Sequence, residues 1–122
     1  MVREMNIPVE IVPCETVREH DGLAMSSRNL KLTIGERELA SHIFDVLMFT
    51  KAYAGSIPVK KLQVLAHKRL AANSAFRVDY FEIVDMQTLL PGNSGDEDEN
   101  MIACAAAYLG GIRLIDNMEL FL

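Results

Sequence analysis

Between Asp21 and Asn29 the chain reads Asp-Gly-Leu-Ala-Met-Ser-Ser-Arg-Asn, a run in which a glycine turn, two adjacent hydroxyls and an arginine stand together. Arg28 offers a planar fork of N–H donors that matches phosphate oxygens. Ser26 and Ser27 add hydroxyl and backbone N–H donors, and Gly22 lets the chain bend sharply before them. Those residue types in a stretch without regular periodicity suit a polyphosphate cradle. Ser-Ser-Arg in a polar loop is also ordinary turn chemistry, so the triplet by itself does not separate the two.

The same run, with its surroundings, resembles the nucleotide-binding loop of the pantothenate synthetase family, ligases that join pantoate to β-alanine at the expense of ATP. Upstream, residues Met1 to Val12 (MVREMNIPVEIV) are similar to the end of a helix in that family's nucleotide-binding domain and the strand after it. Thr16-Val17-Arg18-Glu19 is similar to the link into the loop. Downstream, Val78-Asp79-Tyr80-Phe81-Glu82-Ile83 and the run from Leu109 to Asn117 (LGGIRLIDN) resemble its carboxy-terminal domain. The likeness runs through essentially the whole chain.

The resemblance also implies something missing. The family carries a preceding nucleotide-binding domain with a His-x-Gly-His signature and a Lys-Asp pair, and neither occurs here. None of His20, His42 or His67 has a second histidine three residues away, and no other glycine-rich phosphate loop replaces the signature. Residues 1–13 are therefore expected to be a remnant of that preceding domain, and residues 14–122 the carboxy-terminal domain with its ATP-binding loop at 21–29. Such a piece should be inactive alone.

By composition the chain is an ordinary globular one, with 50% hydrophobic and 24% charged residues. Its formal charge of −5 resides largely in Asp96-Glu97-Asp98-Glu99, without which it would be −1. Lys60-Lys61 and Lys68-Arg69 fall on a predicted helix and form no basic face, so nucleic acid is not an expected partner. No uncharged run reaches the roughly 20 residues of a membrane span. Cys14 and Cys104 are too far apart for a metal knuckle, no signal peptide is evident, and a cytoplasmic location with reduced thiols is expected. No metal-ligating residues are assigned.

The elements around the loop follow from periodicity. Val9 to Val12 reads as a short strand feeding the loop. Thr33 and Glu36 fit a capping box, and Leu39, Ile43, Val46, Leu47 and Thr50 recur at helical spacing until Gly55, so Thr33 to Ala54 is predicted as one helix. Ser56 and Pro58 start a second helix, with Val59, Leu62, Ala66 and Leu70 on one face and an end near Asn73. Phe76 to Asp85 is predicted as a strand, and Leu90 to Gly95 as a loop leading into the acidic run. Met101 to Leu109 has no decisive period. Gly110-Gly111 favours a hairpin, with Ile112 to Ile115 returning and Asp116-Asn117 ending the strand. The fold class is α+β: a small antiparallel sheet with two main helices packed against it, preceded by a leftover strand and the nucleotide-binding loop.

The resemblance implies a two-step reaction through pantoyl adenylate, with ATP and Mg²⁺ required and AMP and pyrophosphate released. Carried over by position, Met25, Ser26, Ser27 and Arg28 fall on the family's ATP-binding loop, and Val17 on a backbone contact with the adenine. Arg28, Ser26 and Ser27 are the catalytic candidates, acting on phosphate charge, with Met25 packing against the nucleotide. The loop is similar in role to the Lys-Met-Ser-Lys-Ser loop of class I aminoacyl-tRNA synthetases, but Ala24 stands at the first lysine position, leaving Arg28 as the only cation within the loop. His20, Asp21, Asp116 and Asn117 receive no catalytic role. A homodimer is expected of the whole protein. A different reading makes the chain a noncatalytic dimerisation module that uses Val9 to Val12 as an adhesive strand. A third makes it part of another carboxylate-activating adenylyltransferase that shares the lid.

Overall fold

The computed structural model describes residues 16–85 and 101–120. The Val9 to Val12 strand, Cys14, the boundary at residue 13, the Leu90 to Gly95 loop and the acidic run lie outside the described residues.

The chain enters through a hairpin. Arg18 and Ala24 form an antiparallel bridge, Met25 N–H donates to the Val17 carbonyl at 2.9 Å, and Glu19 N–H donates to the Leu23 carbonyl at 2.8 Å. A 3-10 helix, Ser27–Lys31, follows. Then come α1 (Ile34–Ala40), α2 (His42–Tyr53), α3 (Val59–Ala71), β1 (Phe76–Asp85), β2 (Met101–Leu109) and β3 (Ile112–Glu119). The strands form an antiparallel sheet in the order β1-β2-β3. Helix α3 lies over β1 and α2 over β3, so the α+β class and the helix-on-sheet layering expected from the sequence hold.

The capping box is formed on both sides: Glu36 N–H donates to Thr33 Oγ1 at 3.1 Å, and Thr33 N–H donates to Glu36 Oε1 at 2.9 Å. The single helix predicted over Thr33 to Ala54 is divided at Ser41, whose ψ of −11° opens the turn before α2 resumes. That break rephases the buried stripe. Leu39 is exposed, and Ala40 takes its place beside Ile43, Val46, Leu47 and Thr50. Thr50 satisfies its hydroxyl within the helix by donating to the Val46 carbonyl at 2.8 Å. Pro58 stands at the N-cap of α3, and Leu62, Ala66 and Leu70 form its buried face.

The core lies between the helices and one face of the sheet. Ala103, Ala105 and Ala107 point into it from β2, flanked by Met101 and Leu109, and the small methyls let α2 and α3 approach the central strand closely. On β1, Phe76 and Val78 face the helices, a bulge follows, and Phe81 and Ile83 face the helices again. The extra residue is Asp79, which the bulge turns outward. At the β2–β3 hairpin Gly110 adopts φ +61°, and a Cβ there would meet Glu36 Oε2 at 1.8 Å, so the turn seats directly on the capping box. Strand β3 runs four residues beyond the predicted Ile115, because Asp116 to Glu119 stay paired to Ala105 through Ile102.

Candidate functional site

A cavity of about 500 Å³ opens where the hairpin and the 3-10 helix lean on the outer edge of β3. Met25, Ser26, Arg28 and Asn29 form one wall, and Tyr80, Cys104, Arg113, Ile115 and Asn117 form the other. Of the residues singled out in the sequence, Met25, Ser26 and Arg28 are brought to this space. Ser27 is exposed at the start of the 3-10 helix, and Val17 is exposed on the hairpin; neither lines the cavity. The Val17 carbonyl already accepts the Met25 N–H.

The run is more ordered than its composition suggests. Ser26 is the N-cap of the 3-10 helix, its Oγ accepting from Arg28 N–H at 3.1 Å, which leaves its hydroxyl proton to donate elsewhere. Arg28 Nη1 donates to the Arg113 carbonyl at 3.4 Å, and among the described residues no carboxylate pairs with it. Arg28 is an exposed residue. Asn29 is buried, holds the Ala24 carbonyl through Nδ2 at 3.0 Å, and keeps an Oδ1 that has no partner among the described residues.

Asp116 and Asn117 do not end the strand as turn residues. Asp116 is buried in β3, and its two oxygens take both Nη donors of Arg18, Nη2 at 3.0 Å, and the Asn117 N–H at 2.7 Å. Arg18 also donates to the Gly22 carbonyl at 3.0 Å and the Asn117 carbonyl at 3.2 Å, and its guanidinium lies 4.8 Å from the centroid of the Phe44 ring. One arginine therefore ties the hairpin, its turn, α2 and the sheet edge together. No motif marks that pair, because its members are 98 residues apart.

Asp21 opens the hairpin turn, accepting from Leu23 N–H at 3.3 Å, and its charge partner is Arg37. Arg37 donates to it twice, at 2.7 and 3.1 Å. Those hydrogen bonds bring the Asp21 carboxyl down from 3.8 to about 2. A depressed carboxyl stabilises the folded chain above its unfolded pKa, and that contribution fades as pH falls from about 4 through 2. The pair is partly solvated, so the loss is on the order of 1 kcal/mol. Urea unfolding at pH 5 and pH 2.5 should show it in the wild type and not in Asp21→Asn; an equal acid loss in both would remove Asp21 from the account. Burial, and secondarily Glu82, pushes the Cys104 thiol up, so it faces the cavity as a protonated, unreactive group.

Among the described residues that line the cavity Asp116 is the only carboxylate, and it is committed to Arg18. Among the described residues no three of His, Cys, Asp or Glu gather as a metal site. The described side chains thus do not fit a protein-held divalent cation, which prefers a cage of oxygen ligands. No described helix is long and apolar enough to cross a membrane.

Fold and cavity together define an α+β domain that sets the loop of Met25, Ser26 and Arg28 against the edge of a small sheet. The family model of pantoate-beta-alanine ligase matches residues 1–119. The pantothenate synthetase of Bacteroides thetaiotaomicron is 40% identical over 119 residues, covering 98% of this chain and 42% of that protein. The crystal structure of pantoate-beta-alanine ligase (pantothenate synthetase) from Thermus thermophilus superposes with a TM-score of 0.87 at 36% identity, over 99% of this chain and 44% of that one. The Francisella tularensis pantoate-beta-alanine ligase, solved in complex with beta-gamma ATP and beta-alanine, shares the fold at a TM-score of 0.57 and 24% identity, over 98% of this chain and 36% of that one. This chain belongs to the pantoate-beta-alanine ligase family. It spans less than half the length of these curated relatives.

Proposed function

We propose that this chain is the carboxy-terminal lid of an ATP-dependent ligase that condenses pantoate with β-alanine, and that its loop grips the polyphosphate of the nucleotide. The carrying observation is the cavity wall of Met25, Ser26 and Arg28, in which Arg28 has no acidic partner among the described residues. Family membership and the nucleotide in the Francisella tularensis relative's structure support the same assignment.

In the first step a pantoate carboxylate oxygen bonds to the α-phosphorus as the bond to the β-phosphate bridging oxygen breaks, giving pantoyl adenylate and pyrophosphate. In the second, the β-alanine nitrogen bonds to the acyl carbon, the carbon–oxygen bond to AMP breaks, and the amine gives up a proton. Arg28 neutralises charge on the departing pyrophosphate, while the Ser26 hydroxyl donates a hydrogen bond to a phosphate oxygen and Ser27, just outside the cavity, would reach only oxygens that project from it. Met25 packs on the nucleotide, and Val17, exposed outside the cavity, would meet only an adenine that extends beyond it. Closing this wall excludes water from the adenylate. Mg²⁺ would arrive on the phosphates rather than on described carboxylates. The reading carries a cytoplasmic location with it.

Calorimetric titration of Mg-ATP into the wild-type chain and Arg28→Ala tests the grip. Loss of a charge-assisted bond predicts a drop in affinity of about tenfold or more. Micromolar affinity unchanged by the substitution would refute the role of Arg28. The chain alone should make no pantothenate; turnover at the rate of a whole synthetase would overturn its description as a lid.

A further inference from the structure

Strand β3 brings a second arginine to the wall of the cavity that holds Arg28. Arg113 lines the wall opposite the loop, and its own carbonyl receives the Arg28 Nη1 hydrogen bond, so the two arginines meet at one end of the space. Its side chain leaves the helix-free face of the sheet, 6.0 Å from the Tyr80 ring centroid. Among the described residues Asp79 is the only carboxylate paired with it: Nε and Nη2 both donate to Asp79 Oδ2, at 3.2 and 2.9 Å. That carboxylate is in reach because the β1 bulge turns Asp79 outward.

The pair is weak by its setting. Both side chains are about two-fifths exposed, 39% and 42%, and an ion pair so open to water contributes little. A polyphosphate carries more charge than one carboxylate and presents several oxygens to a planar fork. Asp79 is thus a placeholder that keeps Arg113 extended beside the cavity and yields it at little cost.

We infer that Arg113 is the second cationic arm of the polyphosphate site, exchanged from Asp79 to the ligand when a di- or triphosphate enters. The inference rests on the reading of the cavity as a nucleotide site and adds the group that balances a charge too large for Arg28 alone.

Titrations of ATP, inorganic pyrophosphate and AMP into the full 122-residue chain, at fixed ionic strength, separate the possibilities. Arg113→Gln should weaken ATP and pyrophosphate about five- to tenfold while moving AMP less than about twofold. Arg113→Lys should recover part of that loss. Asp79→Asn should move the other way, tightening pyrophosphate about two- to fivefold, because the competing carboxylate is gone. A merely structural pair would shift both variants in one direction. Arg113→Gln and Asp79→Asn weakening binding alike, or Arg113→Gln leaving pyrophosphate unchanged while Arg28→Ala abolishes it, would overturn this inference and leave the proposed function standing. No polyphosphate binding by the wild type would overturn both.

Discussion

Replacing Asp116 by alanine should cost about 3 kcal/mol of folding stability, read as a lowered urea midpoint at unchanged slope. The Asp116 side chain is 4% exposed and that of Arg18 19% exposed. Removing the carboxylate strands a guanidinium that has little water to turn to, and breaking a buried pair from one side typically costs 3–5 kcal/mol. Arg18 keeps the Gly22 and Asn117 carbonyls and its place against Phe44, which holds the expected value to the lower end. Asp79→Ala on the same sheet, at an exposed pair, should cost less than about 1 kcal/mol. A loss at Asp116 no larger than at Asp79 would mean that the Arg18 contact contributes nothing to holding the hairpin on β3.

That contrast also marks what the chain's letters reveal. Elements specified by neighbours in sequence were readable: the Thr33–Glu36 cap and the hairpin at Gly110-Gly111 rest on contacts a few residues apart, and β1 on its aromatic and β-branched composition. The strand state of Met101 to Leu109 followed from its turn, not its period, because a run of alanines carries no pattern of its own. Features decided by distant partners were not readable. Ser41 interrupts a helical stripe that looks continuous, since the phase is set by what α2 must bury. Asp116 has the composition of a strand end, yet pairing to Ala105 on one side and a guanidinium 98 residues away keep it inside the ladder. In the candidate site, Arg28 was recognisable by type and company. Arg113 was not, because only the sheet register and the Asp79 bulge bring it to the same cavity. The Asp21–Arg37 pair was hidden likewise: the turn role of Asp21 is local, and its charge partner sits on a helix 16 residues on.

The hairpin depends on one backbone position as much as on its ion pairs, and Gly22→Ala should cost about 2–4 kcal/mol for two separable reasons. Gly22 adopts φ +95°, a region in which a residue with a side chain is strained by about 1–2 kcal/mol. A Cβ there would also fall 2.2 Å from Phe44 Cδ2, so the ring must leave its place beneath Arg18. Moving that ring disturbs the guanidinium that binds both the Gly22 carbonyl and Asp116, and through it the seating of the loop that carries Ser26 and Arg28. ATP affinity should therefore fall along with stability, although Gly22 does not line the cavity. Gly35 is the control: a methyl there meets nothing within 4 Å in α1, and Gly35→Ala should be neutral or stabilising by up to about 1 kcal/mol. Thermal and urea unfolding of the two variants, each with an ATP titration, decides the matter. A Gly22→Ala chain as stable as Gly35→Ala would show that the turn tolerates a side chain and that Phe44 does not fix the position of Arg18.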